Sequence, residues 1–381
     1  MDFELPQDLL DLKHAAGEFA DRELAPRAAR ADEEETFVAE QVKACAKDGW
    51  LGMSVPEEYG GSGLGSLATS LVVSELSRAC ASTGVTVSVH LGLACSGIVR
   101  FGSDEQKKRY LPRLSSGEWL GAYSLSEAGS GSDAGSLCCK ATSDGAGGFV
   151  LEGSKLWVSS GDHADIVVLF ARTSEGKKSR GITAFLVETA WPGFHAGKKE
   201  KKMGIRGSST VELQLDRVRV PKENVLGKVD EGFTYALEIL DGGRIGIASQ
   251  AIGISEACLA ASVKYAKERQ QFGQPIADFQ SIQWKLAEMA LRIDASKLLT
   301  YRAATLRDAR KPHTVEASMA KLEASRCADY CGKEAVQIHG GAGYTREFPV
   351  ERFFRDARVT EIYEGTTEIQ TMVIARHVLR A

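Results

Sequence analysis

Hydrophobic positions divide the chain into three textures. Leu9, Leu12, Ala16 and Phe19 recur at 3-4-3 spacing, and Val38, Val42 and Cys45 at 4-3, the rhythm of an amphipathic helix. Ser103 and Gln106 form a capping-box pattern that opens a further helix at Ser103-Asp-Glu-Gln-Lys-Lys-Arg-Tyr-Leu. From residue 121 the apolar segments become short and β-branched: Gly148–Leu151, Leu156–Val158, Asp165–Phe170, Gly181–Val187 and Val211–Leu215. Gly, Ser and Asp separate them, which predicts an antiparallel sheet or barrel. Helical spacing returns near 230, with long runs near 231–270, 279–310, 313–338 and 366–380. The predicted organisation is an N-terminal helical domain over 1–120, a middle β domain over 121–229 and a C-terminal helical domain over 230–381. This order lacks the β-α alternation of a doubly wound sheet.

Composition narrows the class. Of 381 residues, 43% are hydrophobic and 26% charged, which excludes a disordered chain and leaves material for a large core. The net charge of −4 comes from 47 basic and 51 acidic residues, well interspersed, so no basic field points to nucleic acid. The opening Met1–Pro6 has no positively charged stretch, so no signal peptide is expected. The dense apolar run Ile166–Ala171 is far shorter than the roughly 18 residues of a membrane helix, so no membrane insertion is expected. The eight cysteines show no CxxC pair and no zinc-type pairing with histidine. Cys327 and Cys331, four apart on a predicted helix, read as small buried apolar residues rather than a metal edge. Free thiols fit a cytoplasmic location. The odd feature is 39 glycines against nine prolines, which suggests long helices and places of close approach.

Five segments carry candidate chemistry. Ser126-Glu-Ala-Gly-Ser-Gly-Ser-Asp133 is a small-residue loop entering the β block. It breaks the GxGxxG pattern at Ala134 and lacks a βαβ setting, so it reads as a loop whose amides meet a polar ligand, or as a plain turn. Leu156-Trp-Val-Ser-Ser-Gly161 can stack an indole on a planar ring and offer hydroxyls to its edge, although a core tryptophan is the commoner reading. Leu240-Asp-Gly-Gly-Arg-Ile-Gly-Ile-Ala-Ser249 continues at helical period. Gly242, Gly243 and Gly246 there should each cost a helix about 1 kcal/mol relative to alanine. Either a packed helix or a flat ligand beside Arg244 needs that space. Gln337-Ile-His-Gly-Gly-Ala-Gly-Tyr344 is a glycine cluster after a helix, followed by Glu347, Arg352 and Asp356. In Ile362-Tyr-Glu-Gly-Thr-Thr-Glu-Ile-Gln370, Thr366 or Thr367 can cap the last helix, and Glu364 precedes it beside Tyr363. An isolated acid there is usually a solvated loop residue.

Together, in order and spacing, these segments resemble the acyl-CoA dehydrogenase family over nearly the whole chain. The wording is closest to the short-chain (butyryl-CoA) branch, through Ser77-Arg-Ala-Cys-Ala-Ser-Thr-Gly84, Gly204-Ile-Arg-Gly-Ser-Ser-Thr210 and Gly243-Arg-Ile-Gly-Ile-Ala-Ser-Gln-Ala251. The resemblance implies an α+β multidomain fold: N-terminal helices, a middle antiparallel β domain and a C-terminal four-helix bundle. It implies FAD held by Tyr123, Leu125, Ser126, Gly131 and Ser132, with Trp157 and Ser159 at the isoalloxazine ring. Arg269, Phe272 and Gln280 resemble positions that reach FAD across a subunit interface, and Gln337, Gly340, Gly341, Thr366 and Glu368 complete that site. A homotetramer is the family's usual state. Ser132, Asp241, Gly242, Gly243, Arg244, Tyr363 and Gly365 resemble the acyl-CoA contacts, so the helical glycines would line the thioester slot.

Glu364 matches the family's catalytic base. In relatives with a displaced base the acid stands at the position of Gly243, which cannot serve here. The implied reaction removes the thioester α-proton with Glu364 while the β-hydrogen leaves as hydride to flavin N5, giving a trans-2-enoyl-CoA. The implied electron acceptor is an electron-transferring flavoprotein. Three departures occur in the motifs: Ser124, Ala128, and Ser159 in place of a common threonine. Competing readings are an acyl-CoA oxidase or enoyl-CoA reductase on the same scaffold, or a non-catalytic flavin or acyl-CoA binder. Val89, His90, Leu91, Leu93 and Cys95 differ from the straight short-chain enzymes, which leaves branched, cyclic or aromatic acyl groups open. His90 reads as a core or surface histidine before a substrate contact. A mitochondrial matrix location remains open if a transit peptide is removed.

Overall fold

The computed structural model describes residues 4–175 and 179–380, so Met1–Phe3 of the opening stretch lie outside it. The first block is helical: α1 Gln7–Phe19, α2 Ala25–Glu33, α3 Ala39–Lys47, α4 Ser66–Ala79, α5 Ala81–Val89, α6 Ser96–Phe101 and α7 Asp104–Ser116. The 3-4-3 stripe buries Ala16 and Phe19 in a cluster with Leu24, Leu51 and Leu76. The capping box forms: Gln106 N donates to Ser103 Oγ (3.2 Å) and Ser103 N to Gln106 Oε1 (3.0 Å). Two π-helical segments, Ala20–Leu24 and His90–Cys95, interrupt the helices, and the second continues α5 into α6.

The middle block supplies β1 Gly121–Ser124, β2 Lys140–Ser143, β3 Phe149–Ser159, β4 Ile166–Arg172, β5 Ile182–Glu188, β6 Phe194–Lys199, β7 Thr210–Val220 and β8 Val225–Leu226. They form one sheet in the order β6-β7-β3-β2-β4-β5-β8, with β1 added beside β4. Pairing is antiparallel except between β1 and β4 and at one β2–β4 pair. The two segments read as separate strands, 148–151 and 156–158, are one strand, β3. Its register against β7 shifts between Lys155 and Val158, a bulge that breaks the alternation.

The last block holds α8 Gly232–Glu268, a hairpin of β9 Gln270–Gln271 and β10 Gln274–Pro275, then α9 Gln280–Asp308, α10 Thr314–His339, α11 Val350–Arg358 and α12 Thr367–Val378. α8 is the spine and packs on α4, α9 and α10. One apolar core runs from α5 through β4 and β5 into α8 and α10, which joins the three blocks. Ala81–Phe101 and Gly232–Glu268 are long and apolar enough to span a bilayer, beyond what the dense run 166–171 suggested. Within the protein, 83% and 72% of those windows are buried, so their apolarity serves this core.

Candidate active site

The turn between α11 and α12 positions Glu364. Thr366 caps α12 by accepting from Ile369 N (3.4 Å). The turn has positive φ at Glu364 (51°) and Gly365 (95°). Glycine adopts that region freely, but a glutamate there must be held. Two enclosed side chains hold it. Gln370 Nε2 donates to Glu364 O (3.3 Å) and Gly365 O (2.8 Å), and Lys321 Nζ donates to Gly365 O (2.8 Å).

The carboxylate faces α8. A methyl group on Gly243 would overlap Glu364 Oε2 and lie 2.7 Å from Leu93 Cδ2, so the helical glycine makes room for the acid. Oε2 is enclosed and takes no hydrogen bond. Burial pushes the Glu364 pKa up to about 7, against the pull of Lys321 and Arg244. Burial lowers Lys321 to about 8, and Glu364 opposes that shift. The Tyr123 and Tyr363 phenols are pushed well up, first by burial and then by the Glu364 charge, so both flank the acid. Tyr363 donates to Gln250 Oε1, and Gln250 Nε2 donates to Ala81 O (3.2 Å). Arg244 Nη1 donates to Asp241 Oδ1 (2.8 Å) and Ser318 Oγ (3.2 Å), while Asp241 Oδ2 accepts from Thr314 Oγ1 (2.5 Å). Arg244 Nε is buried with no partner. Burial lowers the Arg244 pKa.

A second group lies on the β domain. The β3 bulge gives Trp157 a φ of 62° and leaves its indole 62% exposed, which is unusual for so large an apolar surface. Ser159 is half-buried, and the Ser124 and Ser160 hydroxyls are buried without partners. The small-residue loop after β1 is braced by Glu127, whose carboxylate accepts from Cys138 N (2.6 Å), Cys139 N (3.0 Å) and Lys155 Nζ (2.8 Å). Its tip meets open space, since a methyl group on Gly129 or Gly131 touches nothing within 4 Å. Ser126 is half-buried and Ser132 exposed, whereas Leu125 is buried. An indole platform, orphaned hydroxyls and a braced loop with open amides fit FAD.

The structure thus gathers Glu364, Tyr363, Gly365, Gly243, Arg244, Asp241 and Tyr123 into one cluster. Gly242 points elsewhere: a methyl group there would overlap the Arg307 guanidinium, and one on Gly246 the Ser88 hydroxyl. Arg269, Phe272 and Gln280 are exposed around the β9–β10 hairpin, with Phe272 93% exposed. Gln337, Gly340, Gly341 and Glu368 are also exposed. His90 is a core residue: Nδ1 accepts from Gly121 N (3.0 Å), Nε2 donates to Leu114 O (3.2 Å), and burial lowers its pKa to about 4. Cys327 and Cys331 are buried with Sγ atoms 3.8 Å apart, and no metal-type cluster occurs among the described residues. Sequence reasoning missed Lys321, Gln250 and Gln370. Each is a polar side chain at a core position of its helix, and Lys321 stands within the stripe Ala317, Ala320, Ala324 and Ala328. A lysine there is the signal that was available.

Comparison with known proteins converges on one description. Family models match residues 6–118 (acyl-CoA dehydrogenase, N-terminal domain), 122–218 (middle domain) and 230–379 (C-terminal domain). The short-chain specific acyl-CoA dehydrogenase, mitochondrial, of Rattus norvegicus is 48% identical over 99% of this chain and 92% of its own. The acryloyl-CoA reductase (NADH) of Anaerotignum propionicum is 47% identical over 100% of this chain and 96% of its own. Butyryl-CoA dehydrogenase from Megasphaera elsdenii superposes with a TM-score of 0.97 at 43% identity, covering both chains completely (100%). A chain in the structure described as "Electron transferring flavoprotein of Acidaminococcus fermentans: Towards a mechanism of flavin-based electron bifurcation" does so with a TM-score of 0.98 at 44% identity, again over 100% of both.

Proposed function

The chain belongs to the acyl-CoA dehydrogenase family, and from that premise we propose that it desaturates a short-chain acyl-CoA at its α,β-carbons with Glu364 as the base. The carrying observation is the enclosed, unpartnered Glu364 Oε2 aimed at the gap over Gly243. FAD is the cofactor, and when bound it supplies the acceptor for the β-hydride. Tyr123, Leu125, Ser126, Gly131, Ser132, Trp157 and Ser159 would hold it on this chain.

The protein's own part is proton chemistry. A thioester α-proton is far too weak an acid for an ordinary carboxylate in water. Removing water from around Glu364 raises its basicity towards that of its target. The charge that develops on the thioester oxygen needs a donor already in place. The Glu364 backbone N–H takes no acceptor among the described residues and is free for that task. Asp241 and Thr314 fix Arg244, which leaves its unpartnered Nε for the substrate. The base works only when ionised. With its pKa about 7, kcat/KM should rise with pH through neutrality and level off above it. A profile flat from about pH 5 to 9 would contradict this assignment.

Short acyl length is supported by the rat enzyme and the Megasphaera elsdenii structure. The direct test is anaerobic titration of the FAD-loaded protein with C4 to C12, branched and aryl acyl-CoAs. Bleaching of the flavin band, strongest at the short end, is expected; no bleaching with any of them overturns the reading. The Anaerotignum propionicum relative favours a second reading, reduction of a 2-enoyl-CoA at the same site. Reoxidation of chemically reduced enzyme by enoyl-CoA measures it. Peroxide formation in air identifies oxidase chemistry. We further propose a homotetramer in which Arg269, Phe272 and Gln280 complete a neighbour's FAD site. Phe272 and the α9 residues Trp284, Leu291 and Leu298, seven apart and all exposed, support it. The Acidaminococcus fermentans structure supports an electron-transferring flavoprotein as acceptor. Eight unpaired cysteines support a reducing compartment such as the cytoplasm.

A further inference from the structure

A cavity of about 300 Å³ opens beside α8, one residue round the helix from Gly243. Gly242 and Gly246 form its floor, and Glu364 does not line it. Aliphatic Val73, Leu91, Val99 and Ile245 line it together with hydroxyl-bearing residues such as Ser70 and Ser249. The Arg307 guanidinium projects over Gly242 and donates to Ser96 Oγ (2.8 Å). No carboxylate comes within ion-pair distance of it among the described residues; lost hydration and then Arg100 lower its pKa to about 10, while Asp308 and Asp241 oppose the shift from farther off. The other charges around the cavity are spoken for. Arg100 pairs with Glu238 (2.6 Å). Asp308 accepts from Ser66 N (2.6 Å) and Leu67 N (3.1 Å) at the start of α4. Arg310, also in the lining, is exposed to solvent. What remains is a half-buried positive charge with no carboxylate in ion-pair contact, in a cavity lined partly by aliphatic groups and partly by hydroxyls. Such a charge gains from an anion that bonds to it directly.

We propose that this cavity binds a short aliphatic carboxylate, with Arg307 as its counter-charge and Ser96 beside it. One guanidinium matches one carboxylate, and the Asp308 carboxylate at the rim opposes a more highly charged group such as phosphate. The carboxylate has two possible sources, the far end of the acyl group or a free acid. Only the first rests on the dehydrogenase reading. Gly242 and Gly243 are adjacent, so Arg307 and Glu364 flank neighbouring positions of α8, no more than about 11 Å apart by backbone geometry. An adipyl chain with Glu364 at C2 and its carboxylate bonded to Arg307 covers about that span. Leu93, packed against Gly243, must swing aside for it.

The test uses the FAD-loaded full-length enzyme, with Arg307→Met and Arg307→Lys. Adipyl-CoA and hexanoyl-CoA are compared by kcat/KM, since they share chain length and differ in the terminal carboxylate. Free adipate is titrated into the same proteins by calorimetry. If the acyl group is the source, the adipyl/hexanoyl ratio falls about 10- to 100-fold in Arg307→Met and recovers in part in Arg307→Lys. If a free acid is the source, adipate binds the parent enzyme, binding is lost in Arg307→Met, and the ratio stays put. An unmoved ratio together with adipate binding that is absent or indifferent to Arg307 overturns the proposal. If neither acyl-CoA bleaches the flavin, the dehydrogenase reading fails, and the adipate titration alone decides the site.

Discussion

Glu364→Gln should leave bound FAD and acyl-CoA affinity in place and lower turnover by at least about 10³-fold, within the range for loss of a positioned general base. The substitution keeps volume and shape, and replaces a charged group that can take a proton with a neutral amide that cannot. Because Oε2 makes no hydrogen bond, no structural contact is lost. An uncharged amide is also easier to bury than a carboxylate, so the variant should melt no lower than its parent. The acidic and phenolic neighbours cannot substitute for the base, and Lys321 is held on Gly365 O. Asp241 is committed to Arg244 and Thr314, and the Tyr123 and Tyr363 phenols hold their protons far above neutral pH. Dye-coupled turnover and the flavin spectral change on adding acyl-CoA separate chemistry from binding. Activity above about a tenth of the parent would place the base elsewhere, since a positioned base contributes more than that.

Gly253→Val should produce a large loss of stability. A side chain at Gly253 would overlap Ser74 O and come within 2.9 Å of Arg78 N, both backbone atoms of α4. Neither can move without separating α4 from α8, a main contact between the first block and the last. Even alanine, which gains about 1 kcal/mol of helix propensity over glycine, should lose more than it gains. The bulkier valine should cost about 3 kcal/mol or more, enough to lower the melting temperature by several degrees. Gly92 provides the contrast: a methyl group there touches nothing within 4 Å, so Gly92→Ala should be neutral or slightly stabilising. Thermal melts of both variants decide it. Equal melting temperatures would show that the α4–α8 crossing is looser than described.

These glycines also mark how far the sequence could be read. Propensity alone indicated that something needs the space at 242, 243 and 246. It could not say that a carboxylate fills one gap, a guanidinium the next and a serine the third, because each filler comes from a distant part of the chain. The long helices were legible from spacing, since each buries one continuous stripe. β2 and β6 were not: they bury only Ala141 and Phe194 respectively, and their remaining residues are polar or small and mostly exposed. Trp157 was placed at a strand end by its neighbours, but the bulge that turns it outward depends on β7. Glu364 was identified through family resemblance. Its isolated sequence read as a solvated loop acid, and only the packing of α8, α10 and α12 around it makes it a base.

Gln370 gives the last helix a further consequence. From α12 it grips both carbonyls of the Glu364–Gly365 turn, and it is the one buried residue of that helix. Helices that bury few side chains are where native proteins open most readily by sub-global fluctuation. Each opening of α12 frees the backbone that holds the base, so its closing equilibrium caps the competent fraction of the enzyme. By reciprocity, a ligand that needs the closed turn must hold α12 folded. Substrate occupancy should therefore register as slowed amide exchange and resistance to proteolysis along α12, remote in sequence from the acyl slot on α8.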